Sequence, residues 1–409
     1  MATLFCGLFY STYALLFYGD AGQTPVFFTP FVIGAAGLVL RELRRMSQGR
    51  NPSVARLGLA GLALGLSLQI KYSTFFECAL FGGLVLFFAW RHRRELSHRG
   101  ITAALSGAGA MMVGGLLPTA LAYAVYVAMG HGDAFWFYNI TANLGRPATD
   151  FPTALIVLRA FLFMAAVGPL AFLSTRYFIS RLKTPASGSR FAHQRWVHIV
   201  LGLWFIAALV GGLAQQQPYA TYFFGTLPPL ALMAAATLQP RAIAWSGGVV
   251  LALAVLGYVG LHVQKIRETG SPYLPEAIAE DITALGGTSL YVFNYYGIMY
   301  PMTGLRLPTR YPLPDHLLRN LEAASFQFDA QAELTRIFDN NPSAIIVLNP
   351  MSSRIPQDRR EILATKLSAD YCLWRNYAAG AQHVSVHLNK ASQLPSVQAA
   401  CRSPADPNE

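Results

Sequence analysis

Residues 57–90 read LGLAGLALGLSLQIKYSTFFECALFGGLVLFFAW, an apolar run with Lys71 almost at its midpoint. One bilayer crossing needs roughly 20 apolar residues, and this run is nearly twice as long as a thin crossing requires. Arg56 precedes it, and Arg91, Arg93 and Arg94 follow it. Basic flanks stay on the cytoplasmic side. Both ends therefore belong on one side, and the run predicts a hairpin of two short helices, 57–70 and 73–90, with Lys71 at the far tip. An ionisable group at membrane depth is costly and marks a site more often than an accident.

The rest of the chain agrees with a membrane setting. Of 409 residues, 54% are hydrophobic and only 12% charged, with mean hydropathy +0.37. A soluble domain carries about twice that charge. The net charge of +11 does not indicate a nucleic-acid partner. The cations cluster in short loops between apolar segments, where membrane orientation explains them.

About nine crossings are expected, at 2–18, 25–40, 57–70, 73–90, 102–128, 154–175, 197–214, 221–238 and 243–263. The start, MATLFCGLFYSTYALLFYG, lacks the basic region of a signal peptide and reads as a membrane helix. Pro118 predicts a tilt or kink within 102–128. The loops 41–56, 91–100 and 176–195 carry Arg and Lys, whereas 19–24 and 215–220 carry none and 129–153 only Arg146. This alternation predicts a cytoplasmic N-terminus and an extracytoplasmic C-terminus. The transmembrane part is placed at 1–263.

After residue 264 the acidic residues accumulate. LPEAIAEDITAL (274–285) reads as an amphipathic helix, and TSLYVFNYY (288–296), SAIIVLN (343–349), YCLWRNY and HVSVHLN (383–389) read as strands. One or two helices are expected in HLLRNLEAASFQFDAQAELTRIFDNN. The expectation is a small α/β domain over 264–392, outside the membrane, with a disordered tail at 393–409. Cys372 and Cys401 fall in this part, where an oxidising compartment would let them pair; two separate thiols satisfy the spacing equally. Cys6 and Cys78 lie in apolar segments, and no His/Cys cluster suggests a metal.

Polar residues gather at the expected outer ends: Asp20 in FYGDAGQTP, Lys71 and Tyr72 in QIKYS, Asn143, Arg146 and Asp150 in the 129–153 loop, and Gln217, Tyr219 and Tyr222 in QQQPYATYFF. Amides and phenols suit hydroxyl-rich ligands. Lys71 and Arg146 suit a phosphate, one as a point charge and the other as a fork. Each has a plainer reading: Lys71 snorkelling to the headgroups, Arg146 solvated between two acids. Glu77 is expected to face a polar neighbour, and Arg159 to reach the interface. Asn139-Ile140-Thr141 matches the glycosylation pattern, most simply by chance.

GLALGLSLQIKYSTFFECALF resembles a Lys-Tyr segment of polytopic glycosyltransferases of the GT-C fold, glycosyltransferase family 39 and its mannosyl- and aminoarabinose-transferring relatives. PYATYFFGTLPPLALMAAA (218–236) is similar to a late helix of that family. Tyr300, Thr303, Gly304, Arg306, Thr309, Arg310 and Tyr311 look like an element of its extracytoplasmic tail. The resemblance implies transfer of a sugar from a polyprenyl-phosphate donor to a lipid, polysaccharide or protein of the cell envelope, on the outer face of a bacterial inner membrane. Lys71, Tyr72 and Arg146 would then bind the donor phosphate, and Asn143, Gln217 and Tyr222 the substrate. A loop aspartate would act as base, and cations or a divalent metal would stabilise the leaving phosphate. The family's long acidic first loop has no counterpart here, which implies a member that is either N-terminally incomplete or diverged. Asp20 is the remaining outer carboxylate. The alternatives are a non-catalytic membrane protein, a transporter, or a scaffold of envelope polysaccharide assembly.

Overall fold

The computed structural model describes residues 2–145, 151–183, 195–216, 219–238 and 244–402. Arg146, Asp150, Gln217 and the last residues, 403–409, lie outside the described residues. Contacts divide the chain into two compact units. One is Met1–Trp136 with Thr149–Val259, and the other is Phe137–Ala148 with Gly260–Glu409. The second thus starts close to the expected boundary at 264, and also takes in a piece of the 129–153 loop.

The first unit is helical: α1 (Ala2–Leu16), α2 (Thr24–Met46), α3 (Val54–Ile70), α4 (Phe75–Arg91), α5 (His98–Ala128), α6 (Thr153–Ala166), α7 (Gly168–Lys183), α8 (Arg195–Leu213), α9 (Leu227–Thr237) and the first part of α10 (Ala244–Thr269). Large apolar side chains stay exposed along them, among them Met112, Leu116, Leu121, Phe161, Trp245 and Leu256. Such surface is stable against lipid and not against water. This is a helical, membrane-embedded protein.

Among the described residues, five helices are long and apolar enough to cross a membrane, and six if the bent pair α6–α7 forms one span. The difference from the nine expected crossings has local causes. The 154–175 stretch is bent by 67° between α6 and α7, where Gly168 and Pro169 interrupt it; proline removes a backbone donor and clashes with the preceding turn. The 221–238 stretch starts as a 3₁₀ helix, Ala220–Thr226, and turns α-helical only at Leu227, with Pro228 in its first turn. That leaves an α-helix of 11 residues. α1 and α3 are apolar but short. Pro118, by contrast, lies inside an unbroken α5 of 31 residues.

The break at Lys71 stands where the charge pattern puts it. The two arms scarcely touch, however. α3 packs on α5 and α2, and α4 chiefly on α8 and α5. Glycines explain the choice. A Cβ on Gly65 would lie 2.5 Å from the Gly115 carbonyl oxygen, and one on Gly114 would lie 2.5 Å from that of Gly58. Small residues let membrane helices approach this closely, and packing then replaces the hydrophobic drive that lipid lacks.

α2 runs past the expected 25–40 crossing into RELRRM because Glu42 is buried there. Its carboxylate accepts from the Ser53 amide at 2.7 Å and from Arg56 Nη1 at 2.7 Å, with Arg45 Nε 3.4 Å away. One buried acid thereby closes the basic loop between α2 and α3.

The second unit holds a four-stranded sheet ordered β1-β2-β4-β3: β1 (Leu290–Val292), β2 (Ala344–Asn349), β3 (Tyr371–Ala379) and β4 (Gln382–Asn389). β1 and β2 are parallel, and the other pairs are antiparallel. The expected helix 274–285 is α11 (Leu274–Ala284), and α12 (Ala330–Asp339), α13 (Gln357–Asp370) and α14 (Pro395–Arg402) follow it through the unit. Where one or two helices were expected over 316–341 there are three: Pro314–Leu318, Asn320–Phe326 and α12. Strand alternation separates two cores. Ala344, Ile346, Val384, Val386 and Leu388 pack with α11 and α14; Ile345, Val347 and Tyr371 pack with α12 and α13. Cys372 and Cys401 are joined by a disulfide, which ties α14 to β3, their Cα atoms 5.7 Å apart.

Candidate functional site

The site is built from the broken helix pair α3–α4 and the 3₁₀ segment Ala220–Thr226. α3 ends because Lys71 is extended, with φ −154° and ψ 122°. A 3₁₀ turn, Tyr72–Thr74, then leads into α4. Buried hydroxyls hold the break. Ser67 Oγ donates to the Leu64 carbonyl at 2.6 Å and lies 3.2 Å from Thr74 Oγ1. Thr74 Oγ1 donates to the Lys71 carbonyl at 2.9 Å. The irregular backbone is thus satisfied by side chains, as non-helical backbone in a membrane protein must be.

Lys71 Nζ sits 4.2 Å from the centroid of the Tyr222 ring. A cation over a phenol face is worth roughly 0.5–2 kcal/mol, more when desolvated. Tyr222 meets Tyr219 edge-on at 5.8 Å, and Tyr219 meets Phe151 edge-on at 6.2 Å. The ammonium is therefore one end of an aromatic row. Two glycines of α8 let the parts come together. A Cβ on Gly211 would lie 2.7 Å from the Ser73 carbonyl oxygen, and one on Gly212 2.8 Å from that of Tyr222. These two residues are the structural seam of the site, and the Gly-Gly pair in ALVGGLAQQ is its only trace in the sequence.

The other expected residues divide. Tyr72 adjoins Lys71 and is 45% exposed. Asp20 is exposed and accepts a hydrogen bond from the Tyr258 hydroxyl at 2.9 Å. Asn143 belongs to the second unit, where its amide donates to the Tyr138 and Asn139 carbonyls at 3.0 and 3.1 Å. Arg146 and Gln217 lie outside the described residues. Arg159 is exposed on α6.

Glu77 is buried in the first turn of α4. A Cβ on Gly225 would stand 3.2 Å from its Oε1. Its Oε2 has no hydrogen-bond partner among the described residues, so the expected polar neighbour is not found for that oxygen. Gly225 makes room for the carboxyl, a relation that residues 148 positions apart do not disclose by pattern.

The tail element is largely structural. Tyr300 OH accepts from the Val292 amide at 3.0 Å, and Gly304, at φ +63°, ends the helix Met299–Thr303. Thr309 Oγ1 donates to Glu333 at 2.5 Å, and Tyr311 stacks on Phe328 at 4.1 Å. Hydrogen bonds from Arg336 and Thr309 hold the Glu333 carboxyl below the usual carboxylate range.

Among the described residues no three His, Cys, Asp or Glu side chains gather as metal ligands would. No family model, curated protein or solved structure matches the chain.

Proposed function

We propose that this protein is a membrane glycosyltransferase that takes a sugar from a polyprenyl-phosphate donor and gives it to a cell-envelope acceptor. The observation that carries the reading is Lys71: an ammonium held over the Tyr222 ring at a helix break between apolar helices. A lipid-linked phosphate has that mixed character, an anion on a long apolar chain. Tyr222 keeps the ammonium in place in the absence of donor, and the phosphate replaces the weaker ring contact when it arrives. Tyr72 is proposed as a donor-side contact, and Gln217 as a group for the sugar or acceptor.

The acceptor oxygen attacks the anomeric carbon. The bond from that carbon to the phosphate oxygen breaks, and the phosphate leaves with the electron pair. Lys71 stabilises the charge that develops on it. The acceptor proton passes to a base, for which Asp20 is the candidate. Tyr258 donates a hydrogen bond to that carboxylate and thereby orients it.

The proposed location is a bacterial inner membrane, N-terminus cytoplasmic and second unit outside. The cation-rich loops 41–56 and 91–100 support this orientation. So does the Cys372–Cys401 bond, which suits an oxidising compartment.

A second reading, as a transporter for envelope polysaccharide assembly, draws on the 67° bend between α6 and α7. Broken helices recur in such proteins. One experiment separates them. Full-length protein in nanodiscs is given polyprenyl-phosphate mannose and polyprenyl-phosphate aminoarabinose, each with envelope lipid extract. Release of polyprenyl phosphate coupled to glycosylated acceptor supports the transferase. Movement of the intact donor across proteoliposomes, without release, supports the transporter.

A further inference from the structure

A cavity of about 280 Å³ lies in the second unit between the sheet and α13. Its floor is one face of the sheet: Asn349 on β2, His383, Ser385 and His387 on β4, and Asn376 on β3. Leu363 and Leu367 of α13 form the apolar side, with Leu373 beside them. Alternation along β4 puts residues 383, 385 and 387 on one face. Asn376 reaches that face by a device. The register of β3 against β4 slips between Leu373, opposite His387, and Arg375, opposite Val386. Trp374 is the extra residue of this bulge. A bulge re-aims the side chains that follow it, so Asn376 falls opposite Ser385. Arg375 and Tyr377 fall on the other face, where both bond to Asp281 of α11 at 2.7 Å.

The polar groups are not used up by one another. Asn349 Nδ2 donates to Ser385 Oγ at 3.0 Å. Asn376 Oδ1 is buried with no hydrogen-bond partner among the described residues. An orphaned buried acceptor costs about 1–3 kcal/mol, a cost that a bound donor removes. Among the described residues no Lys, Arg, Asp or Glu lines the cavity, and burial pushes the His387 imidazole down to about 4, so that ring is uncharged near neutrality. His383 and His387 are four residues apart on a strand, about 13 Å, too far to share one metal ion.

We infer that this cavity is a binding site for a single neutral sugar ring. Amides, a hydroxyl and the neutral His387 imidazole both give and take hydrogen bonds, which matches hydroxyl groups. The leucines match the C–H face of a pyranose or furanose. The volume is at the small end of ligand cavities and admits one ring. The choice of a sugar over other neutral polyhydroxy molecules rests on the transferase reading.

The test uses the full-length chain in nanodiscs and titrates it by saturation-transfer NMR with D-mannose, D-galactose, N-acetyl-D-glucosamine, L-arabinose, glucuronate and mannose 6-phosphate. At least one neutral sugar is expected to bind saturably, and the two charged ones not. Asn376→Ala and, independently, exposed His383→Ala are expected to weaken that binding tenfold or more. Glu280→Gln, which does not line the cavity, leaves it unchanged. Absence of saturable binding by every neutral sugar, or binding indifferent to both variants, overturns the inference. Lys71→Ala is expected to leave this sugar binding intact, so sugar binding without donor turnover would fail the transferase reading alone.

Discussion

At the scale of single residues, Lys71 and Glu42 show how an ion is kept in a mostly apolar chain. Glu42 is fully buried and held by Arg56 and the Ser53 amide. Hydrogen bonds to a charged group are worth about 1.5–3 kcal/mol each. Glu42→Ala leaves two donors behind, and a loss of about 2–3 kcal/mol in unfolding by denaturant in detergent is expected; Glu42→Gln recovers part of it. The helix break at Lys71 could be read from the sequence, because a charge between two apolar arms marks a natural interruption. Its partner could not. Tyr222 lies 151 positions away, and nothing in either segment names the other. Glu42 sits among arginines and reads in the sequence as part of a solvated basic loop, so its burial is not visible there.

Among elements, helices end or bend where backbone chemistry demands it, whatever the count of apolar residues. A window over 154–175 sums to one crossing, yet Gly168 and Pro169 divide it into α6 and α7 at 67°. Pro228 and Pro229 likewise delay α9 until Leu227. The α3–α5 seam follows glycine positions that were visible, but their partner helix was not. Gly65→Leu is expected to force α3 from α5 and to lower the thermal midpoint in detergent by several degrees. Gly82→Leu serves as the control, since a Cβ at Gly82 meets nothing within 4 Å. Gly211→Val is a finer test: it presses on the Ser73 carbonyl, and weakened donor binding with intact insertion is expected. The strands of the second unit were legible from β-branched alternation. The bulge at Trp374 was not, because register belongs to the pair of strands and not to either one.

For the whole molecule, the second unit carries its own pH and redox responses. His387 is neutral in the fold with its pKa pushed to about 4 by burial, against about 6.5 unfolded. Between those values the unfolded chain binds the extra proton, so stability rises with pH. Protection of the β4 amides from hydrogen exchange is expected to fall as pH drops from about 6.5 towards 4, by up to roughly 1 kcal/mol per pH unit. His387→Leu is expected to flatten the slope. Reducing the Cys372–Cys401 bond, which closes a separation of 29 residues, is expected to cost about 3 kcal/mol in the same protection. Cys372→Ser is expected to match the reduced wild type.

The central claim is that Lys71, over the Tyr222 ring, receives a lipid-linked phosphate. The most direct measurement is the affinity of full-length protein in nanodiscs for polyprenyl monophosphate, taken for wild type, Lys71→Arg and Lys71→Ala. The expected result is a tenfold or greater loss for Lys71→Ala, about 1.4 kcal/mol or more, with Lys71→Arg between the two and all three equally folded. Equal affinity for wild type and Lys71→Ala would contradict it.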